Sequence, residues 1–305
     1  MAELRTALFS RKQAGGVFIV DDLKQHPGAI WFVDSGHAYA SDSAGFGRTP
    51  DAPFATIDYA VGMCTASQGD VIYVMPGHAE VVSAAADLDL DVIGISVVGL
   101  GNGSLQPTVT LDTADTADVD VDAADITVEN IHFRANFADI VAAIDVNADD
   151  FTLRNCRFSE VATDMNALIW VQDAAATASD RITIENCRAV CLDAANTHFV
   201  NFAGTGDGHR VIGNELIGDW GTIAIGGAGV VTNAVIRDNV MHNASATNDS
   251  CINFAATATG ICMRNLIGGG AAQANGVTAT AMAIAENYYG VSAEDLSAIL
   301  DPIAT

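Results

Sequence analysis

Positive charge is what this chain has least of. Its two lysines are Lys12 and Lys24, none follows, and 13 basic residues face 38 acidic ones for a formal net charge of −25 over 305 residues. Such a surface repels phosphate backbones, so nucleic acid is not expected as a partner. Aromatic residues are scarce at 7%, and only three tryptophans, Trp31, Trp170 and Trp220, could stack on sugar rings. Long apolar runs are missing too. Residues 1–12 lack the apolar core of a secretory signal and no stretch approaches membrane-spanning length, so neither a signal peptide nor membrane insertion is expected. The six cysteines (Cys64, Cys156, Cys187, Cys191, Cys251, Cys262) contain no Cys-x-x-Cys pair. They read as small apolar fillers of a core made in a reducing cytosol, with no metal and no cofactor expected.

What is abundant is small and repetitive: Ala, Val, Ile, Thr and 28 Gly. An apolar–x–apolar–x–Asn pattern recurs through the second half, ending at Asn130, Asn155, Asn186, Asn214, Asn239, Asn265 and Asn287. Spacings of 25, 31, 28, 25, 26 and 22 residues describe one supersecondary unit stacked on itself. Period-2 alternation within each unit makes it a strand. The expected fold is therefore all-β: a single-stranded parallel β-helix of about nine coils with short capping helices. The seven asparagines are expected to form one structural ladder, each turning a bend and hydrogen-bonding its counterparts above and below.

Two adjacent coils superpose without a gap, residues 119–133 on 144–158. Val119, Val121, Ile126 and Val128 then point inward and the residues between them outward. The residue before each asparagine gives a second row: Glu129, Arg154, Glu185, then Gly213, Asp238, Arg264, Glu286. Acid and base alternate there, as outward cross-strand ion pairs require. Asp120 stacked on Asp145 breaks that logic, which leaves either a solvated face or a bridging cation.

The N-terminal half adds a signature. Pro53-Phe-Ala-Thr-Ile57 opens an amphipathic helix over 54–64, and Gly69-Asp-Val-Ile-Tyr-Val-Met-Pro-Gly77 follows as the first coil, with Ile95–Leu100 as the second and Gly99 where Asn stands later. This arrangement resembles the right-handed parallel β-helix (pectate-lyase-like) superfamily over roughly residues 32–290. Residues 69–80 and 92–103 more narrowly resemble β-helix structural proteins of tailed-bacteriophage virions. The resemblance implies a virion location, homotrimeric self-association, and partners among capsid or tail proteins. The domain reading is an N-terminal arm over 1–33, the β-helix over 34–290, and a C-terminal helix over 291–305 with Ser292 as its cap.

Relatives on this fold cleave acidic polysaccharides, so catalysis must be weighed. The best local cluster is Asp207, His209 and Arg210 in Gly204-Thr-Gly-Asp-Gly-His-Arg210. An inverting hydrolase needs two carboxylates about 6.5–9.5 Å apart, and no second acidic motif accompanies this one in the preceding coil. The preferred expectation is a non-enzymatic virion structural protein (capsid decoration, head fibre or tail-associated) assembling through faces of small residues. The alternative is a tail-spike-like polysaccharide depolymerase or a module binding host-surface glycans.

Overall fold

A computed structural model describes residues 28–162, 164–174, 178–245, 250–269 and 276–290, with the backbone of Ser10–Arg11, Phe18–Ile19 and Ala298–Leu300. The chain winds into a parallel β-helix whose strands fall into three ladders. The first holds ten strands among the described residues, from Ile30–Val33 through Thr127–Glu129 and Thr152–Arg154 to Met282–Ala285. The second runs from Ala79–Val82 through His132–Ala135, Arg157–Glu160 and Arg188–Cys191 to Asn287–Gly290. The third has eight strands, Leu88–Asp89 to Val277–Thr278, so eight turns are complete. An incomplete turn stands at each end, against the nine or so coils expected.

Alternation makes the core. Thr127 and Glu129 face outward while Val128 is buried, and the registers Val128–Leu153–Ile184–Val211–Ile236–Cys262 stack one inward residue per turn. Each buried Val, Leu or Ile contributes roughly 1.5–3 kcal/mol. Aromatics fill the wider corner in a continuous pile: Phe133 on Phe158 at 5.4 Å, Phe158 on Phe199 at 5.2 Å, Phe199 on Trp220 at 6.2 Å. Trp170 and Trp220 are both enclosed there, so neither is a sugar platform.

The N-terminal mouth is closed by helix α1, Ile57–Val61, which lies within the expected 54–64. Thr56 accepts from Tyr59 N at its start, and Ile57, Ala60 and Val61 are buried. The buried Glu80 carboxylate accepts from Ile57 N at 3.0 Å and lies 3.1 Å from His78 Nε2, tying the helix to the second ladder. Asp70 accepts from Ala29 N at 2.5 Å and Thr65 N at 2.7 Å, which explains the aspartate of the Gly69-Asp70 motif. Gly47, at φ +75°, lets the Phe54 ring approach, because a Cβ there would lie 2.1 Å from it.

Two boundaries differ from expectation. Ile30–Val33 pairs in parallel with Val71–Val74, so the body includes residues assigned above to the arm. Trp31 and Val33 alternate inward like any other strand of the ladder. The remainder of the 1–33 arm lies outside the described residues, apart from the antiparallel pairing of Ser10–Arg11 with Phe18–Ile19. Within the segment 291–305 expected as a helix, the described residues Ala298–Leu300 form a strand that pairs antiparallel with Asn287–Tyr289. A terminal strand offers a row of unpaired N–H and C=O groups, and at Ile299 and Leu300 that demand overrides the helical spacing. The other residues of that segment lie outside the described ones.

Candidate functional site

The seven asparagines do not form one ladder. In-register pairing puts Glu129, Arg154, Glu185, Ile212, Arg237, Met263 and Ala285 at one level. The next residue takes the left-handed bend: Asn130, Asn155 and Asn186 at φ +57°, +56° and +54°, then Gly213, Asp238, Arg264 and Glu286. Asn130, Asn155 and Asn186 are therefore bend residues at least partly open to solvent, whereas Asn214, Asn239, Asn265 and Asn287 stand one position later, at most 1% exposed. The corresponding inward residues in earlier turns are Ile131, Cys156 and Cys187.

The four inner asparagines make a hydrogen-bonded stack. Asn214 Nδ2 donates to Asn239 Oδ1 at 2.9 Å, Asn239 Nδ2 to Asn265 Oδ1 at 2.9 Å, and Asn265 Nδ2 to Asn287 Oδ1 at 2.8 Å. Each also donates to a backbone carbonyl of a preceding turn, and Asn239, Asn265 and Asn287 each accept from the backbone N–H of the asparagine before. The charge row splits at the same place. Arg154 binds Glu129 through Nε at 2.9 Å and Nη2 at 2.7 Å. One position along, Arg264 binds Asp238 at 2.7 and 3.1 Å.

Asp207, His209 and Arg210 do not converge. Asp207 is exposed and accepts from Thr232 Oγ1 and Asn233 Nδ2, both at 2.6 Å, which hold its pKa below the usual carboxylate range. His209 is wholly buried, stacks on Phe202 at 4.5 Å, and burial lowers its pKa to about 4. Arg210 points outward into a shallow groove with Asp125, Asp150 and Arg181. There Arg181 grips Asp150 at 2.6 Å and keeps that carboxylate ionised, the wrong state for a general acid.

Carboxyls whose pKa is raised lie elsewhere. Asp89, Asp120 and Asp145 stand in register on the outward face of the third ladder. Burial, then neighbouring aspartates, pushes Asp120 to about 7 and Asp145 to about 6. Asp89 Oδ1 and Asp145 Oδ1 are shielded from solvent without a hydrogen-bond partner. The face is thus not freely solvated, and among the described residues no group of three or more His, Cys, Asp or Glu that could hold a metal is found. Protonation is what relieves the repulsion.

All six cysteines are free, and burial pushes the Cys64 and Cys262 thiols to about 12, so these two are inert. The feature that motif reading missed is a pair of arginines. Arg157 and Arg188 lie directly opposite on adjacent strands of the second ladder, beside a groove of about 520 Å³. The signal was present: Cys156 and Cys187 stack, so the residue after each must stack as well.

No protein-family model matches this chain, and no curated protein matches it. Among solved structures it is similar to a rhamnogalacturonan lyase, with a TM-score of 0.49 and 11% identity over 85% of this chain and 87% of that one. It is also similar to PfbA, a surface adhesin of Streptococcus pneumoniae, with a TM-score of 0.34 and 12% identity over 86% of this chain and 90% of that one. At these values the likeness carries no argument about activity or ligand.

Proposed function

We propose that this chain is a non-enzymatic structural rod of a tailed-bacteriophage particle, as a capsid decoration, head fibre or tail-associated protein, and that three copies associate side by side. The observation that carries the reading is the shortness of the outward rows. Ser96, Thr127, Thr152 and Thr183 stand in register on the first ladder, and Gly226, Asn253 and Thr278 on the third. On the first ladder the short side chains form a floor between charged rows, low enough for a second copy's side chains to enter. The divergence of Asp207, His209 and Arg210 supports a role without turnover. A strongly acidic exterior keeps a multivalent rod soluble. The virion placement rests on the likeness of residues 69–80 and 92–103 to phage β-helix proteins.

Light scattering of the purified chain at micromolar concentration tests the assembly, with a trimer expected and a monomer overturning it. Labelled antibody imaged on phage particles tests the placement. Cleavage of an acidic glycan that is abolished by Asp207→Ala would replace the structural role with a catalytic one.

A further inference from the structure

The outward face of the second ladder changes character along the rod. Its first outward row reads Thr108, His132, Arg157, Arg188 and Glu215, polar or charged at every step. The same row then continues as Val240, Leu266 and Tyr288, in register on successive turns. These three are 49%, 50% and 44% exposed. Single apolar residues scattered on a surface are ordinary, but three aligned at roughly 4.8 Å spacing form a continuous apolar ridge. Beside the ridge, Gly268 and Gly290 carry no side chain, so it stands clear of its own sheet.

A matching low row lies on the third ladder, where Gly226, Asn253 and Thr278 stand in register. Each shares a turn with one ridge residue. The chain passes from Ile223–Gly227 to Val240–Asn243, from Ile252–Phe254 to Leu266–Gly269, and from Val277–Thr278 to Asn287–Gly290. Ridge and low row are therefore level along the rod but on different faces. Two unlike patches on one chain close a ring only when the rotation joining them carries no shift along the axis; with a shift they build an open filament. Here the shift is absent.

Charge selects the occupant. Copies with a net charge of −25 repel each other, so contact is favoured where acids are absent. None of the six strands that carry the ridge and the low row contains an acid. Nearer the N-terminus Asp145 and Arg157 share a turn in the same way, so the two faces have opposite signs there and the same rotation brings cation towards acid. We propose that the ridge of Val240, Leu266 and Tyr288 seats on the Gly226–Asn253–Thr278 row of a second copy, and that three such contacts close the ring. This pairing rests on the side-by-side assembly proposed above and names its faces: of the two short rows that support that reading, the one on the third ladder makes the contact.

Sedimentation velocity on the full chain at micromolar concentration tests the pairing. Wild type should run as a trimer. Leu266→Glu on the ridge and Thr278→Glu on the low row should each run as a monomer, with the wild-type circular dichroism spectrum because both positions are exposed. Ile261→Glu, in the same turn as Leu266 but on the first ladder and 43% exposed, should stay trimeric. Adding Asn253→Lys to Leu266→Glu should restore the trimer, since the lysine of one copy then meets the glutamate of the next. A trimer in Leu266→Glu would overturn this face and leave the assembly standing. A monomeric Leu266→Glu beside a trimeric Thr278→Glu would mean that ridge meets ridge, and would overturn the pairing. A wild-type monomer would overturn the assembly and the pairing with it.

Discussion

Replacing Asn239 by leucine should be among the most damaging single changes in this chain, and replacing Asn155 by leucine should not. Asn239 is wholly buried and makes four hydrogen bonds. It donates to Val211 O and Asn265 Oδ1, both at 2.9 Å, and accepts from Asn214 N at 3.0 Å and Asn214 Nδ2 at 2.9 Å. Leucine has a similar volume but leaves those groups inside the solenoid without partners, at about 1–3 kcal/mol each. Asn214 Nδ2 keeps Ile184 O, and the buried leucine returns roughly 1.5–3 kcal/mol, so the terms do not simply add. A net loss of about 3–5 kcal/mol is expected. Asn155 is exposed, its amide reaches only Glu129 Oε1 at 3.0 Å, and its backbone sits at φ +56°. Leucine there costs the left-handed strain, about 1–2 kcal/mol, and glycine should cost almost nothing. Urea denaturation followed by circular dichroism gives the midpoints, and amide exchange at Asn214 and Asn265 locates the damage if the turns unfold separately. Equal losses in Asn155→Leu and Asn239→Leu would refute the division into bend and buried asparagines.

Stability should rise as pH falls from 8 to about 6, because the folded pKa values of Asp120 and Asp173 (each about 7) and Asp145 (about 6) lie above their unfolded values, so their stabilising protonated form is lost as pH rises through that window. Below about 6.5 His132, His198 and His209, all lowered to about 4, oppose the aspartates and should level the rise; a slope between pH 6 and 8 as steep in Asp120→Asn as in wild type would remove Asp120 from the explanation. Arg154→Glu should lower the melting temperature more than Arg134→Glu, because it sets three acids, at 129, 154 and 185, in register, and the gap should narrow at high salt. The purified chain should sediment as a trimer, and a monomer would remove the assembly.

What the sequence disclosed, it disclosed through register. Superposing residues 119–133 on 144–158 anticipates the observed pairs Asp120–Asp145, Thr127–Thr152 and Phe133–Phe158. The asparagines misled because one residue type suits two sites a single step apart: a left-handed bend facing water and a buried ladder behind it. Their spacing distinguished the two, since the first three motifs place Asn two residues after the last inward apolar residue and the next four place it three residues after. Val128 to Asn130 and Ile236 to Asn239 show the difference. The Asp207–His209 pair misled for a related reason. Residues two apart share a face in an unbroken strand, but Gly208 at φ +74° interrupts the alternation and sends aspartate to solvent and histidine to the core. The C-terminal segment follows the same lesson, its helical spacing being a local preference that an open strand edge outweighs. In a solenoid a motif's chemistry depends on which side of a one-residue step it falls. The ladder sets Arg157 and Arg188 side by side across 31 residues of sequence, whereas the turn at Gly208 separates Asp207 from His209 within three.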